Sequence, residues 1–217
     1  MIVSDKISGY LRSLIPDNSE ILELIEEEAL KGEVPIIRKD MQDLLRFIIE
    51  SRRPENILEI GTAVGFSGSF MLSYGNKDSH LTTIENYEPR FEAARANFKR
   101  AGVSDRVTFI TGDAEQVLKE LGGTYDLIFM DGPKGQYINY LEDVLRLLKG
   151  GGLLVSDNVL DNGDIADSRF AVRRRDRTIH KRMREYLFTL THDPRLVTTI
   201  LPVGDGAALS HLKQPSP

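Results

Sequence analysis

Two carboxylates and an amide stand at the ends of two short apolar runs. Asp131 closes Asp126-Leu127-Ile128-Phe129-Met130-Asp131, and Asp157-Asn158 follow Leu153-Leu154-Val155-Ser156. Polar side chains at the carboxyl ends of neighbouring parallel strands face one crevice, where open α/β sheets bind ligands. Two acids and an amide carbonyl form an all-oxygen set, which suits a hard divalent cation such as Mg²⁺. The competing reading is turn-forming Asp and Asn. Lys134 follows Asp131 by three residues. Beside a cation its ammonium is pushed towards the neutral form, which makes it a candidate general base. As a lone surface lysine it would mean nothing. Asp161-Asn162 repeat the acid-amide pair and read as turn chemistry. Together these residues suggest a metal-assisted group transfer.

A second constellation lies upstream, in Leu58-Glu59-Ile60-Gly61-Thr62-Ala63-Val64-Gly65-Phe66-Ser67. Gly61 permits a tight turn and close approach of a ligand to the backbone. Ser67 lies at a helix entry, where free N–H groups and a hydroxyl can bind a carboxylate. The Gly-x-x-x-Gly spacing differs from Gly-x-Gly-x-x-Gly, which disfavours a nicotinamide dehydrogenase. A glycine turn needed only for packing would look the same. Glu85 ends the next apolar run and is placed to accept both hydroxyls of a ribose, or to cap the helix that follows. Asp113, in Gly112-Asp113-Ala114, either accepts from an adenine amino group or caps its own helix.

The elements that must position these groups follow from periodicity. Helices are expected over residues 4–14, 18–31 and 39–52, the last with Met41, Leu44, Leu45, Ile48 and Ile49 on one face. Apolar runs at 57–60, 80–84, 106–110, 125–130 and 152–156 then alternate with helical stretches at 67–73, 88–101, 114–121 and 137–149. That alternation implies a parallel sheet covered by helices on both faces. Gly150-Gly151-Gly152 reads as a sharp turn into the fifth strand. A long helix over 167–190 precedes strands at 196–202 and 207–212, joined by Val203-Gly204-Asp205-Gly206, a hairpin signal.

The 217 residues fit one large domain, with 1–52 as a helical cap and 53–217 as the core. There is no cysteine, hence no disulfide and no thiolate chemistry. No run approaches a membrane span, and the first residues lack a leader's charged start and apolar stretch. A cytoplasmic location is the default expectation. Net charge is −5, yet residues 170–184 hold seven Lys/Arg and one acid, a net +6 against −11 elsewhere. A local basic patch on an acidic chain marks a candidate polyanion site. Arg173, Arg177, Lys181 and Arg184 fall at near-helical spacing, opposite Val172, Ile179, Met183, Leu187 and Leu190. A solvated amphipathic helix is the plainer reading.

Taken together, the loop at 57–67, Glu85, Gly112-Asp113-Ala114, Asp131-Gly132-Pro133-Lys134 and Ser156-Asp157-Asn158 resemble the metal-dependent O-methyltransferases related to the catechol and caffeoyl-CoA enzymes. Within that group Glu33-Val34-Pro35-Ile36, Asp157-Asn158-Val159-Leu160 and the arginine-rich stretch look most like the bacterial tRNA 5-hydroxyuridine methyltransferases. The resemblance implies a class I methyltransferase fold: a Rossmann-like seven-stranded sheet, five strands parallel plus a C-terminal antiparallel hairpin, with extra N-terminal helices. It implies that Asp131, Asp157 and Asn158 bind Mg²⁺. Ile37, Glu59, Ser67, Glu85, Ala114 and Asp131 would hold S-adenosylmethionine, with Gly61, Gly112 and Asp113 beside them. Lys134, with Asp131, would be catalytic. It also suggests a homodimer.

The expected substrate is 5-hydroxyuridine near the anticodon of tRNA, held by Arg173, Arg174, Arg177 and Lys181. The alternative is a small catechol-like diol or an acyl-CoA, which offers a metal the same pair of adjacent oxygens. A non-catalytic nucleotide- or RNA-binding module is a third reading, disfavoured by the intact Asp131, Lys134, Asp157 and Asn158.

Overall fold

The computed structural model describes residues 3–214; Met1 and Ile2, part of the run read for a leader, lie outside that range. Three helices come first: α1 (Asp5–Ser13), α2 (Glu20–Lys31) and α3 (Lys39–Arg52). The alternating part follows as β1 (Asn56–Ile60), α4 (Phe66–Tyr74), β2 (His80–Glu85), α5 (Phe91–Arg100), β3 (Val107–Thr111), α6 (Ala114–Glu120), β4 (Tyr125–Met130), α7 (Tyr137–Leu147) and β5 (Leu148–Ser156). The chain closes with α8 (Arg177–His192), β6 (Leu196–Leu201) and β7 (Ala207–Leu212).

The seven strands form one sheet in the order β3-β2-β1-β4-β5-β7-β6. β1 to β5 are mutually parallel, and β7 runs antiparallel between β5 and β6. The strand order reverses between β1 and β4, so the loops after these strands diverge and leave a crevice. Each face of the sheet carries its own apolar core. On one side α2, α3, α4 and α5 pack Leu22, Met41, Leu45, Phe66, Phe70 and Phe98 against Ile57, Leu127 and Phe129. On the other, α6, α7 and α8 pack Leu118, Tyr137, Leu141, Val144, Met183 and Tyr186 against Leu58, Ile128 and Leu154. The N-terminal helices therefore share a core with the sheet. α4 is buried along nearly its whole length, because α2 and α3 cover the face it would otherwise expose.

Most expected boundaries hold within one or two residues. Two expectations are overturned. The glycine run is not a turn ahead of the fifth strand: Gly150 to Gly152 lie inside β5, where the pairing jumps from Tyr125–Leu148 to Leu127–Leu153. Gly151 takes φ +87°, so the run forms a bulge that only glycine accommodates cheaply. The long helix also begins ten residues later than expected. Residues 161–166 form a 3-10 turn, kinked where Asn162 (φ 55°) and Gly163 (φ 99°) leave helical geometry. Arg173, Arg174 and Arg175 sit in the turn before α8. Val172 is buried in that turn, and Ile179, expected on the apolar face, is 37% exposed. No helix among the described residues is long and apolar enough to cross a membrane.

Candidate active site

The loops after β1, β2, β4 and β5 enclose a cavity of about 500 Å³ with the segment 35–38 and the β6–β7 turn. Asp131 and Asp157 stand one residue beyond β4 and β5 and keep the ladder going. Asp131 N–H donates to Ile60 O and Asp157 N–H to Met130 O, both at 3.0 Å. The buried Tyr137 hydroxyl lies 3.1 Å from both Met130 O and Asp157 O. It ties the two strand ends together and fixes the spacing of the acids.

Both carboxyls are pushed above the usual range. For Asp157 the causes are burial first, then the charge of Asp131; for Asp131 burial dominates. Asn158 Nδ2 donates to Asp131 Oδ1 at 3.0 Å, and Asn158 takes φ 59°, which aims its side chain back at Asp131. This donor set fits a divalent cation. It is all oxygen once the amide turns its Oδ1 inward, and a dication would offset two buried like charges. No group of three or more His, Cys, Asp or Glu side chains forms a candidate metal cluster among the described residues, so the cation set rests on two acids and an amide.

The loop after β1 depends on Gly61, at φ +104°, where a side-chain methyl would overlap the Asp131 carbonyl oxygen. That close crossing brings the loop and the first acid together. Glu85, 8% exposed, accepts from Ala63 N–H at 2.7 Å and from Asn86 and Tyr87 N–H at 3.0 and 2.9 Å. A carboxylate offers about four acceptor positions. Glu85 therefore retains room for about one strong ligand contact, not the two assigned to ribose hydroxyls from sequence.

Ile37, Gly61, Ser67, Glu85, Asp131, Lys134, Asp157 and Asn158 line the cavity as expected. Glu59, Gly112, Asp113 and Ala114 do not. Glu59 is fully buried behind the wall and accepts from the hydroxyls of Ser67 and Thr83. Its contribution is to orient Ser67. Asp113 caps α6, accepting from Glu115 N–H at 3.0 Å and Gln116 N–H at 3.4 Å. Gly112 N–H donates to Glu85 O, so this loop sits one strand beyond Glu85.

Three lining or flanking residues escaped the sequence reading. Arg38 pairs with Asp205 at 2.9 Å, bridging the N-terminal segment and the β6–β7 turn. Asp161 Oδ1 accepts from Lys134 Nζ at 2.8 Å. Asp205 and Asp161 had looked like turn residues, and no local pattern marks a partner far away in the chain.

Residues 13–213 match the profile described as O-methyltransferase. The chain belongs to the O-methyltransferase family. It is 40% identical over 166 residues to catechol O-methyltransferase of Mycobacterium tuberculosis, covering 73% of this chain and 74% of the relative. It is 30% identical over 218 residues to caffeoyl-CoA O-methyltransferase of Citrus natsudaidai, covering 95% and 94%. The SAH-bound methyltransferase PaMTH1 of Podospora anserina superposes with a TM-score of 0.86 at 28% identity, covering 97% of this chain and 95% of that one. The protein is thus an S-adenosylmethionine-dependent O-methyltransferase with the seven-stranded fold expected from sequence.

In this O-methyltransferase Glu59 carries a pH signature. Burial pushes its carboxyl up to about 7, against hydrogen bonds from Ser67 and Thr83 that pull it down. A folded-state pKa above the unfolded value contributes stability that is present at low pH and lost as pH rises through the folded pKa. The melting temperature of ligand-free protein should therefore fall between pH 5.5 and pH 8. Glu59→Gln should flatten that fall, its deficit against wild type shrinking by roughly 2–3 kcal/mol towards pH 8. Parallel melting curves for the two proteins would contradict this assignment.

Proposed function

We propose that this enzyme transfers the methyl group of S-adenosylmethionine to one hydroxyl of a small vicinal diol of the catechol class, with a divalent cation, Mg²⁺, in the cleft. The supporting observation is the state of the basic segment. Arg177 donates to Val172 O, Arg182 to Gly135 O and Arg184 to Ile165 O. Arg173 and Arg175 face Asp176 at 3.0 and 3.7 Å. Three of the seven basic residues, Arg177, Arg182 and Arg184, thus stitch loops around the site, while Arg173 and Arg175 stay exposed beside Asp176. Arg174 and Lys181 are exposed. The relatives named for catechol and caffeoyl-CoA point the same way.

Bound S-adenosylmethionine supplies an electrophilic methyl, and a bound cation fixes two adjacent oxygens and lowers the pKa of the attacking hydroxyl. Asp131, Asp157 and Asn158 would hold the cation; Gly61, Ser67, Glu85 and Ile37 would hold the donor. Lys134, ion-paired with Asp161, places positive charge beside the acceptor oxygen and would stabilise the oxyanion left when its proton passes to solvent; that oxyanion takes the methyl as the carbon–sulfur bond breaks and S-adenosylhomocysteine leaves. The N-terminal segment and the Arg38–Asp205 pair screen the cleft from water.

The exposed Leu11 of α1, Leu14 just after it and Phe47 of α3 line one groove, an apolar surface suited to a second copy of the chain, and a homodimer is part of the proposal. The test offers a panel of catechols and, in parallel, tRNA bearing 5-hydroxyuridine, with labelled S-adenosylmethionine and Mg²⁺. The expected result is metal-dependent methylation of the diol, with Arg173→Glu/Arg174→Glu leaving its kcat/KM unchanged. Methylation of tRNA alone, with affinity collapsing in that charge-reversed variant, would replace this substrate with 5-hydroxyuridine.

A further inference from the structure

Lys134 is held from two sides. Its Nζ donates to Asp161 Oδ1 at 2.8 Å, with both side chains about one-quarter exposed. The carbonyl of the next residue, Gly135, accepts from Arg182 Nη1 at 3.0 Å, which anchors the short turn 134–136 to α8. Asp161 in turn sits in an unusual backbone. It has φ 45° and Asn162 has φ 55°, two consecutive non-glycine residues in the left-handed region. Each such residue stores strain that only surrounding structure can hold in place. The loop is pinned around them: Leu160 N–H donates to Asp205 O, Gly163 N–H to Leu160 O, and Arg184 Nη1 to Ile165 O. The strained geometry directs the Asp161 carboxylate at Lys134, whose cleft also contains Asp131 and Asp157.

We infer that Asp161 is the positioning residue for Lys134, and that the loop after β5 is built in its strained form to hold that ion pair. Without Asp161 the ammonium loses the partner that holds it, and the lysine stem is free to swing out of the place beside the acceptor oxygen. Asp161 does not reach the reacting atoms itself. Its effect runs through where Nζ stands. The inference rests on the proposed role of Lys134 in methyl transfer, but the ion pair can be tested apart from it.

The experiment has two arms. Asp161→Asn keeps the size and the tolerance for left-handed φ while removing the charge. In the first arm, wild type and variant are reductively methylated with formaldehyde and cyanoborohydride, and each lysine is followed by peptide mass spectrometry. Lys134 should react several-fold faster in Asp161→Asn, with exposed Lys181 as the unchanged reference. Equal Lys134 rates would overturn the inference, whatever the substrate proves to be. The second arm uses the acceptor that wild type turns over, diol or tRNA. There Asp161→Asn should lower kcat by about 10- to 100-fold, with the KM for S-adenosylmethionine and the melting temperature unchanged. Asp161→Glu should recover part of the loss. In a Lys134→Met background Asp161→Asn should cost nothing further, because the two residues act as one unit. Full additivity of the two losses would reduce Asp161 to a structural residue and overturn the inference. If wild type turns over neither acceptor, the functional proposal fails, and the labelling arm alone decides the ion pair.

Discussion

Asp157→Asn should abolish turnover while making the metal-free protein more stable. Asp157 is 4% exposed, and its carboxyl is raised by burial and by Asp131. Near pH 8 the folded state must hold two facing acids without a cation, at a cost that falls when one becomes neutral. Removing the charge therefore relieves the ligand-free fold, and its melting temperature at pH 8 should rise by a few degrees. The same change removes one of the two negative charges that would hold the proposed cation, leaving a neutral amide oxygen in its place. Charge stabilisation by a bound cation is worth several kcal/mol, so kcat should fall about a thousandfold, at tenfold per roughly 1.4 kcal/mol. Mg²⁺ should raise the melting temperature of wild type and leave that of Asp157→Asn nearly unmoved. Calorimetry with and without Mg²⁺ checks both signs. A variant that is both destabilised and still metal-responsive would remove Asp157 from the cation site.

Gly61→Ala should be the most damaging small substitution in the chain. At φ +104° an L-residue is strained, and the added methyl would overlap the Asp131 carbonyl oxygen. Backbone strain and overpacking each cost about 1–3 kcal/mol, so the sum is roughly 3–5 kcal/mol. Relief requires the loop after β1 to part from the end of β4, which moves Asp131 away from Asp157. Protein that still folds should bind S-adenosylmethionine at least tenfold more weakly by titration calorimetry. Gly9→Ala is the matched control. Gly9 lies in α1, with nothing within 4 Å of the added carbon, so the change should be neutral or stabilising by about 0.5–1 kcal/mol. Comparable losses at both glycines would refute the role given to the crossing.

The two acids, Lys134 and the glycine loop were legible because each is a short pattern tied to one strand end. α3 was legible to the residue because its apolar periodicity marks the buried face, and β7 because the Val203–Gly206 turn marks where it starts. What escaped depends on contacts across the chain. Glu59 was read as a donor ligand from the resemblance alone, and the strand turns its carboxyl away from the cavity to Ser67 and Thr83. The arginine-rich segment looked like an exposed track because charge patterns do not show which guanidiniums bond to carbonyls. Arg182 and Arg184 reach residues 47 and 19 positions away. The glycine run looked like a turn because a bulge becomes visible only when its partner strand is known.

The position of β7 bears on how the protein is made. It is the last strand in the chain, yet it lies inside the sheet, between β5 and β6. Until the ribosome has released residues 207–212, β5 has an open edge and β6 has no partner. Unpaired edges recruit other chains. The nascent sheet therefore carries its aggregation hazard for as long as residues 207–212 are still to come. A ribosomal stall or a frameshift between β6 and β7 would leave a chain with five parallel strands formed and the sheet unsealed, a natural substrate for chaperones and proteases.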